Sequence, residues 1–177
     1  MRIDEGLYVL AAVIVPCEYA DDHRAALRAL LLRKQPRLHW RDERPKRRLE
    51  IARAVAVLHP STVVVIGTRL IPAKQRRARR KCLERLLWHL ACRDVPRVVM
   101  ERRNAEGNRE DLDMVNALRA RDALPQGMHV EWVSPLVEEL LWLPDVVAGI
   151  IARAEAGDRT LRDLLLGDHL IEHVGCD

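Results

Sequence analysis

The sequence predicts a layered α/β domain built on a mixed sheet flanked by helices. Three observations carry that prediction. Short β-prone runs, LYVLAAVIV, TVVVIGTRLI, PRVVM and MHVEWV, alternate along the chain with stretches of helical periodicity, and strands alternating with helices build a sheet covered by helices. The stretch SPLVEELLWLPDVVAGIIARA (134–154) is apolar on nearly every side, as expected of a helix buried at the centre of a domain. At 177 residues the chain suits one domain with a sizeable core. That domain is expected over residues 1–156, with 157–177 as a C-terminal tail carrying a short helix.

Each element follows from its own pattern. Residues 2–4 suit a short strand, Glu5-Gly6 a tight turn, and 7–15 a continuous strand. Residues 19–34 place Ala25, Ala26, Leu27, Leu30 and Leu31 at amphipathic spacing, which predicts the first helix. The run QPRLHWRDERP (35–45) breaks that period and reads as a loop. A second helix is expected over 46–58, with Ile51, Ala54, Val55 and Leu58 as its apolar body, and a strand over 62–71 between Pro60 and Pro72. Residues 73–92 predict a long helix, 96–100 a strand, 102–109 a polar loop, 110–121 a short helix and 128–133 a strand. The helix of 134–154 follows, with Ser134-Pro135 as its start signal. Beyond Gly157 only 160–166 is amphipathic, and the end is polar.

Composition narrows the partners. The net charge is +4, with 30 Lys and Arg against 26 Asp and Glu, and arginine favours bidentate contact with phosphate. The long helix opens with Lys74, Arg76, Arg77, Arg79, Arg80 and Lys81, where positive charge opposes the macrodipole by some tenths of a kcal/mol each. A grip on phosphate would account for that cost; a solvated helix face is the other reading. With no phenylalanine, two tyrosines and four tryptophans, a base-stacking platform of the single-strand-binding type is not expected. No apolar run reaches the roughly 18 residues that span a bilayer. Acids precede residues 7–16 where a signal peptide carries positive charge. Cys17, Cys82, Cys92 and Cys176 show no CxxC and no disulfide-framework spacing, so free thiols in a cytoplasmic protein are expected. Cys82, His89 and Cys92 broadly share one helix face, but a zinc site there would need a fourth ligand from elsewhere. No GxGxxG, Walker loop, GxSxG or HExxH occurs.

Three acids stand where sheet ends converge: Asp4 after the first short strand, Glu101 directly after PRVVM, and Asp145 in the apolar stretch beside Pro144. Carboxylates crowded together repel unless a cation neutralises them. Oxygen ligands drawn from separate elements suit Mg²⁺ or Mn²⁺, which serve phosphodiester hydrolysis. Asp145 has a second reading, as an acid in the first turn of a new helix after Pro144. His39 in LHWRDE suits a proton shuttle or a packed loop histidine. Glu43 suits a further metal ligand or a partner of Arg41 or Arg44. Glu138, seven residues before Asp145, shares its face if one helix runs through Pro144.

The blocks IDE, YVLAAVIV, LHWRDE, VVMERR and VEELLWLPDVVAGIIARA together resemble the family called domain of unknown function 3800, over roughly residues 2–154. The most specific block is LLWLPDVVAG. The resemblance implies a ribonuclease H-like fold, with Asp4, Glu101 and Asp145 as metal-binding acids of a nuclease-like site and His39, Glu43 and Glu138 as helpers. One departure stands out: Asp4 is three residues from Met1, and Gly6 leads at once into the next strand, where the family has a longer turn. The expected activity is Mg²⁺- or Mn²⁺-dependent hydrolysis of DNA or RNA. Arg44, Lys46, Arg47, Arg48, Arg76, Arg77, Arg79 and Arg80 would hold the backbone of the nucleic acid. The alternative is a catalytically inactive binding module for nucleic acid or protein, and self-association is left open.

Overall fold

A computed structural model describes residues 6–69, 72–165 and 167–176. Asp4 and the strand expected over residues 2–4 lie outside the described residues. Among the described residues the fold is mixed α/β, with five α-helices and two sheets.

The first sheet is centred on β2 (Ser61–Thr68), which β1 (Tyr8–Ile14) joins antiparallel on one side, Tyr8 opposite Gly67 and Ile14 opposite Ser61. On the other side β5 (His169–Gly175) runs parallel to β2, with Val64 opposite Ile171. Val63, Val64, Val65 and Ile66 of β2 are all fully buried, as a central strand covered on both faces requires. The second sheet is the parallel pair β3 (Arg97–Glu101) and β4 (His129–Val133).

Alternation divides the strands between two layers. Tyr8, Val63 and Val65 face α3 (Gln75–Ala91) and α4 (Ala105–Ala120), and Val98, Met100 and Val130 of the second sheet pack into that same layer. Val9, Val64 and Ile66 face the opposite way, onto Val147 and Ile151 of α5 (Trp142–Glu155). The outer side of α5 is covered by Leu27 of α1 (Ala20–Ala29) and by Ile51 and Val55 of α2 (Pro45–Val57). Helix α5 is thus enclosed on both sides, which explains its all-round apolar sequence. Burying Leu143 and Ile150, both fully enclosed, stabilises by about 1.5–3 kcal/mol each. Among the described residues no helix is long and apolar enough to cross a membrane.

Four elements differ from expectation. Helix α1 ends at Ala29 because Arg47 of α2 donates to the Leu30 carbonyl, and the chain tightens there into i→i+3 turns. Helix α4 starts at Ala105: the Asn104 side chain accepts from the Gly107 N–H at 2.9 Å and caps it. Helix α5 starts at Trp142, since residues 134–138 form one turn and Glu138 is extended, at φ −132°, before a 3-10 turn over Glu139–Leu141. The polar C-terminal end supplies β5, whose Glu172 and His169 find partners on neighbouring elements.

Where β2 meets α3, Gly67 has no room for a side chain. A Cβ there would lie 2.7 Å from Cys176 Sγ and 3.0 Å from Cys82 Sγ. Burial, reinforced by the neighbouring Cys176, pushes the Cys82 thiol up to about 12. Cys82 packs with Cys176, His89 pairs with Glu172, and Cys92 is exposed, so the three residues of the zinc alternative have separate surroundings.

Candidate functional site

The loop between α1 and α2 is closed on itself and held against α5, α2 and β3. Gln35 Nε2 donates to Glu43 Oε1 at 2.7 Å, closing the loop on itself. The Trp40 N–H donates to Asp145 Oδ2 at 2.8 Å in the first turn of α5. The Trp40 ring lies against Gly149, one turn further on, where a Cβ would sit 2.0 Å from Trp40 Cδ1. Asp145 and Gly149 therefore form a seat for Trp40, and their spacing of four puts them on one helix face. Arg48 completes the seat by donating to the Trp40 carbonyl and stacking over its ring at 5.5 Å. Two residues before His39, Arg37 Nη1 bonds Glu101 Oε1 at 3.0 Å. Residues 37–40 thus touch both Glu101, at the end of β3, and Asp145, at the start of α5.

Each sequence-predicted acid has a definite place. Asp145 is about one-third exposed, and its Oδ1 has no hydrogen-bond partner among the described residues. Glu101 is half exposed, and its Oε2 is likewise free among them. Glu43 is buried with Gln35. Glu138 is gripped by Arg24, Nε to Oε1 at 3.0 Å and Nη2 to Oε2 at 2.8 Å, and it also accepts from the Leu140 N–H. Burial alone would raise the Glu138 carboxyl, but the Arg24 fork and the Leu140 N–H outweigh it and hold it below the usual range. Glu138 precedes α5 and does not share the helix face of Asp145.

His39 has two contacts that imply different protonation. Its Nδ1 accepts from the Arg41 N–H at 3.2 Å and lies 3.9 Å from Asp145 Oδ2. The first is a hydrogen bond and the second is too long for one. An accepting Nδ1 is unprotonated, which leaves the proton of a neutral ring on Nε2. Among the described residues no group of three or more acids, histidines or cysteines is close enough to hold a metal.

The basic residues divide by surroundings. Arg44, Lys46, Arg77 and Arg80 are exposed, with no carboxylate partner among the described residues. Arg47 pairs with Glu50, and Arg48 bonds the Trp40 and Arg41 carbonyls. Arg76 pairs with Glu106 and Glu110. Arg79 is engaged by both oxygens of Asp111, at 2.8 and 2.6 Å, and donates to the Tyr8 hydroxyl. Helix α3 packs on one face of the first sheet, while α2 lies on the other side, beyond α5, so the two clusters do not form one patch on a single layer. Sequence reasoning missed Arg37, the residue that ties Glu101 to the loop; nothing in its local pattern distinguishes it from Arg33 or Arg41. No protein-family model, curated protein or solved structure matches the chain.

Proposed function

We propose that the chain is a ribonuclease H-like, metal-dependent nuclease of the kind suggested by the resemblance to domain of unknown function 3800, acting on phosphodiester bonds of a nucleic acid. One observation carries the reading: Glu101 and Asp145, from separate elements, meet the same four-residue loop segment, and each keeps one carboxylate oxygen without a partner among the described residues. The donors fit a hard divalent cation in kind, as oxygen ligands on separate elements. In number the described residues offer two, Asp4 lying outside them. Glu101 and Asp145 would hold Mg²⁺ or Mn²⁺, which when bound would supply Lewis-acid stabilisation of charge on the phosphate oxygens. Arg37 positions Glu101. As water adds to phosphorus and the P–O bond breaks, the proton the water loses ends on the leaving oxygen, which the neutral His39 ring steadies by a hydrogen bond from its Nε2–H. Arg44, Lys46, Arg77 and Arg80 hold the backbone, so affinity falls steeply with salt.

The test is Asp145→Asn, because an asparagine oxygen can still accept from the Trp40 N–H while the charge is lost. Calorimetric titration with Mn²⁺ and a cleavage assay on single- and double-stranded DNA and RNA are run on both proteins. Metal binding and cleavage both lost in a folded variant is the expected result; both unchanged rejects the assignment. A second reading, an inactive binding module, draws on the fact that both acids already have structural partners, Trp40 for Asp145 and Arg37 for Glu101. Nucleic-acid binding with neither metal uptake nor cleavage in the wild type selects it.

A further inference from the structure

A concave surface of about 510 Å³ lies between α4 and β4, lined by Arg102, Arg109, Leu112, Val130 and Trp132 among others. Its volume falls within the roughly 300–1,000 Å³ of small-ligand sites. Strand β4 pairs with β3 on one side only among the described residues, so the groove runs along the outer strand of that sheet. It starts one residue from Glu101. The Arg102 N–H donates to the Val133 carbonyl at 2.8 Å, pinning the chain after β3 to the end of β4.

Glu131 also lines the groove but is neutralised by Arg97, whereas the two lining arginines are unspent. Neighbouring arginines have carboxylates: Arg97 pairs with Glu131, Arg103 with Asp111, and Arg76 with Glu106. Arg102 and Arg109 are exposed and have no carboxylate partner among the described residues; the Arg102 guanidinium reaches only the Trp132 carbonyl, at 3.4 Å. Beside them is apolar surface. Leu112 is 42% exposed, Val130 and Trp132 are half-buried, and the Trp132 indole N–H has no acceptor among the described residues.

We infer that this groove binds one nucleotide unit of a single-stranded nucleic acid, its phosphates on Arg102 and Arg109 and its base against Leu112 and Trp132. The lining asks for an occupant that is both anionic and flat. A nucleotide is both. An acidic peptide supplies carboxylates but leaves the apolar lining unfilled, and a duplex keeps its bases stacked inside. Arginine matches phosphate by paired N–H donors, and one base on an aromatic ring is worth about 1–3 kcal/mol by truncation. With one ring available, this is a single-base site rather than a stacking platform. The inference deepens the nuclease reading, for it places a substrate strand beside Glu101, and it rests on that reading only for what happens after binding.

The experiment is equilibrium binding of a fluorescent oligothymidylate to the full chain in EDTA, by anisotropy and tryptophan quenching, so that cleavage plays no part. Arg102→Ala/Arg109→Ala alters only exposed side chains and should fold normally. It is expected to weaken binding at least tenfold and to reduce the salt slope by about two. Trp132→Phe should remove most of the quenching on binding. Unchanged affinity in the double arginine variant overturns the inference, as does equal affinity for a duplex or equally good competition by polyglutamate. The two readings fail separately. Wild type that binds through these arginines but never cleaves keeps the groove and rejects the nuclease. Cleavage with binding indifferent to both arginines does the reverse.

Discussion

Gly149 and Asp145 do one job from two directions, the carboxylate taking the Trp40 N–H and the bare Cα admitting its ring. The Asp145 carboxylate therefore positions the loop whether or not it also meets a metal. The ring has nowhere to retreat, since Trp40 is 5% exposed and enclosed by Ile51, Trp142 and Val146. Gly149→Ala should force the ring out of its seat, because its Cβ would fall 2.3 Å from Trp40 Nε1 as well as 2.0 Å from Cδ1. The expected cost is about 1–3 kcal/mol in urea unfolding, as for other overpacked cores, together with a change in tryptophan emission and, on the nuclease reading, slower cleavage. Unaltered stability would mean that the ring is not seated there in solution. The sequence had signalled this seat in part, since Asp145 stood out as a carboxylate in an apolar stretch. The occupant was not legible, because Trp40 lies more than a hundred residues away and only the tertiary fold unites them.

At the scale of elements, the basic start of α3 shows what a sequence pattern leaves open. Arg76, Arg77, Arg79 and Arg80 look alike along the chain, but α4 covers one side of the helix and claims Arg79 through the buried Asp111, which is 4% exposed. Burial alone would make the Arg79 guanidinium easier to deprotonate; the Asp111 carboxylate and the Tyr8 hydroxyl outweigh that and raise it. This pair joins α3, α4 and β1, so Arg79 is better placed to hold layers together than to grip phosphate. Asp111→Ala should cost about 3–5 kcal/mol by leaving a buried charge unpaired. Arg79→Met/Asp111→Leu should cost clearly less, and Arg77→Ala almost nothing. A double variant as unstable as the sum of its singles would show that the two residues do not act as a pair. Strands β1 to β4 were legible from their β-prone runs. Strand β5 was not, for in HLIEHVG only tertiary partners account for the polar residues: Glu172 meets Arg85 and His89 of α3, His169 meets Thr62 of β2 and His173 meets Glu155 of α5. The start of α4 was missed for a similar reason: its cap depends on Asn104, and Gly107 within it is covered by the Arg103 side chain.

Across the whole molecule, two carboxylates join layers that the apolar core leaves separate at the surface. Glu138 ties α1 to the approach of α5, and Glu172 ties β5 to α3 through Arg85 and His89. For Glu172, as for Glu138, burial pushes the carboxyl up, but its hydrogen bonds, from Arg85 and His89 in this case, push it further down, and the net direction is below the ordinary 4.5. A depressed native value means that the unfolded chain binds protons first as pH falls, so each pair stabilises the fold above about pH 4.5 and is lost as pH drops through the native value. Both carboxylates retain some exposure, 18% for Glu138 and 26% for Glu172, so screening holds each contribution to about 0.5–1 kcal/mol. Unfolding free energy should therefore be nearly flat from about pH 7 to 5 and fall below that. Glu138→Gln/Glu172→Gln should start lower at neutral pH and then decline less steeply in acid, the two curves drawing together near about pH 3. Urea titrations at stepped pH read this directly, and parallel decline of the two proteins would assign the acid sensitivity to other carboxylates. Because neither Glu138 nor Glu172 shares a hydrogen bond with Glu101 or Asp145 among the described residues, the same variant should leave Mn²⁺ binding at neutral pH unaltered, which separates the scaffold's acids from those proposed for chemistry.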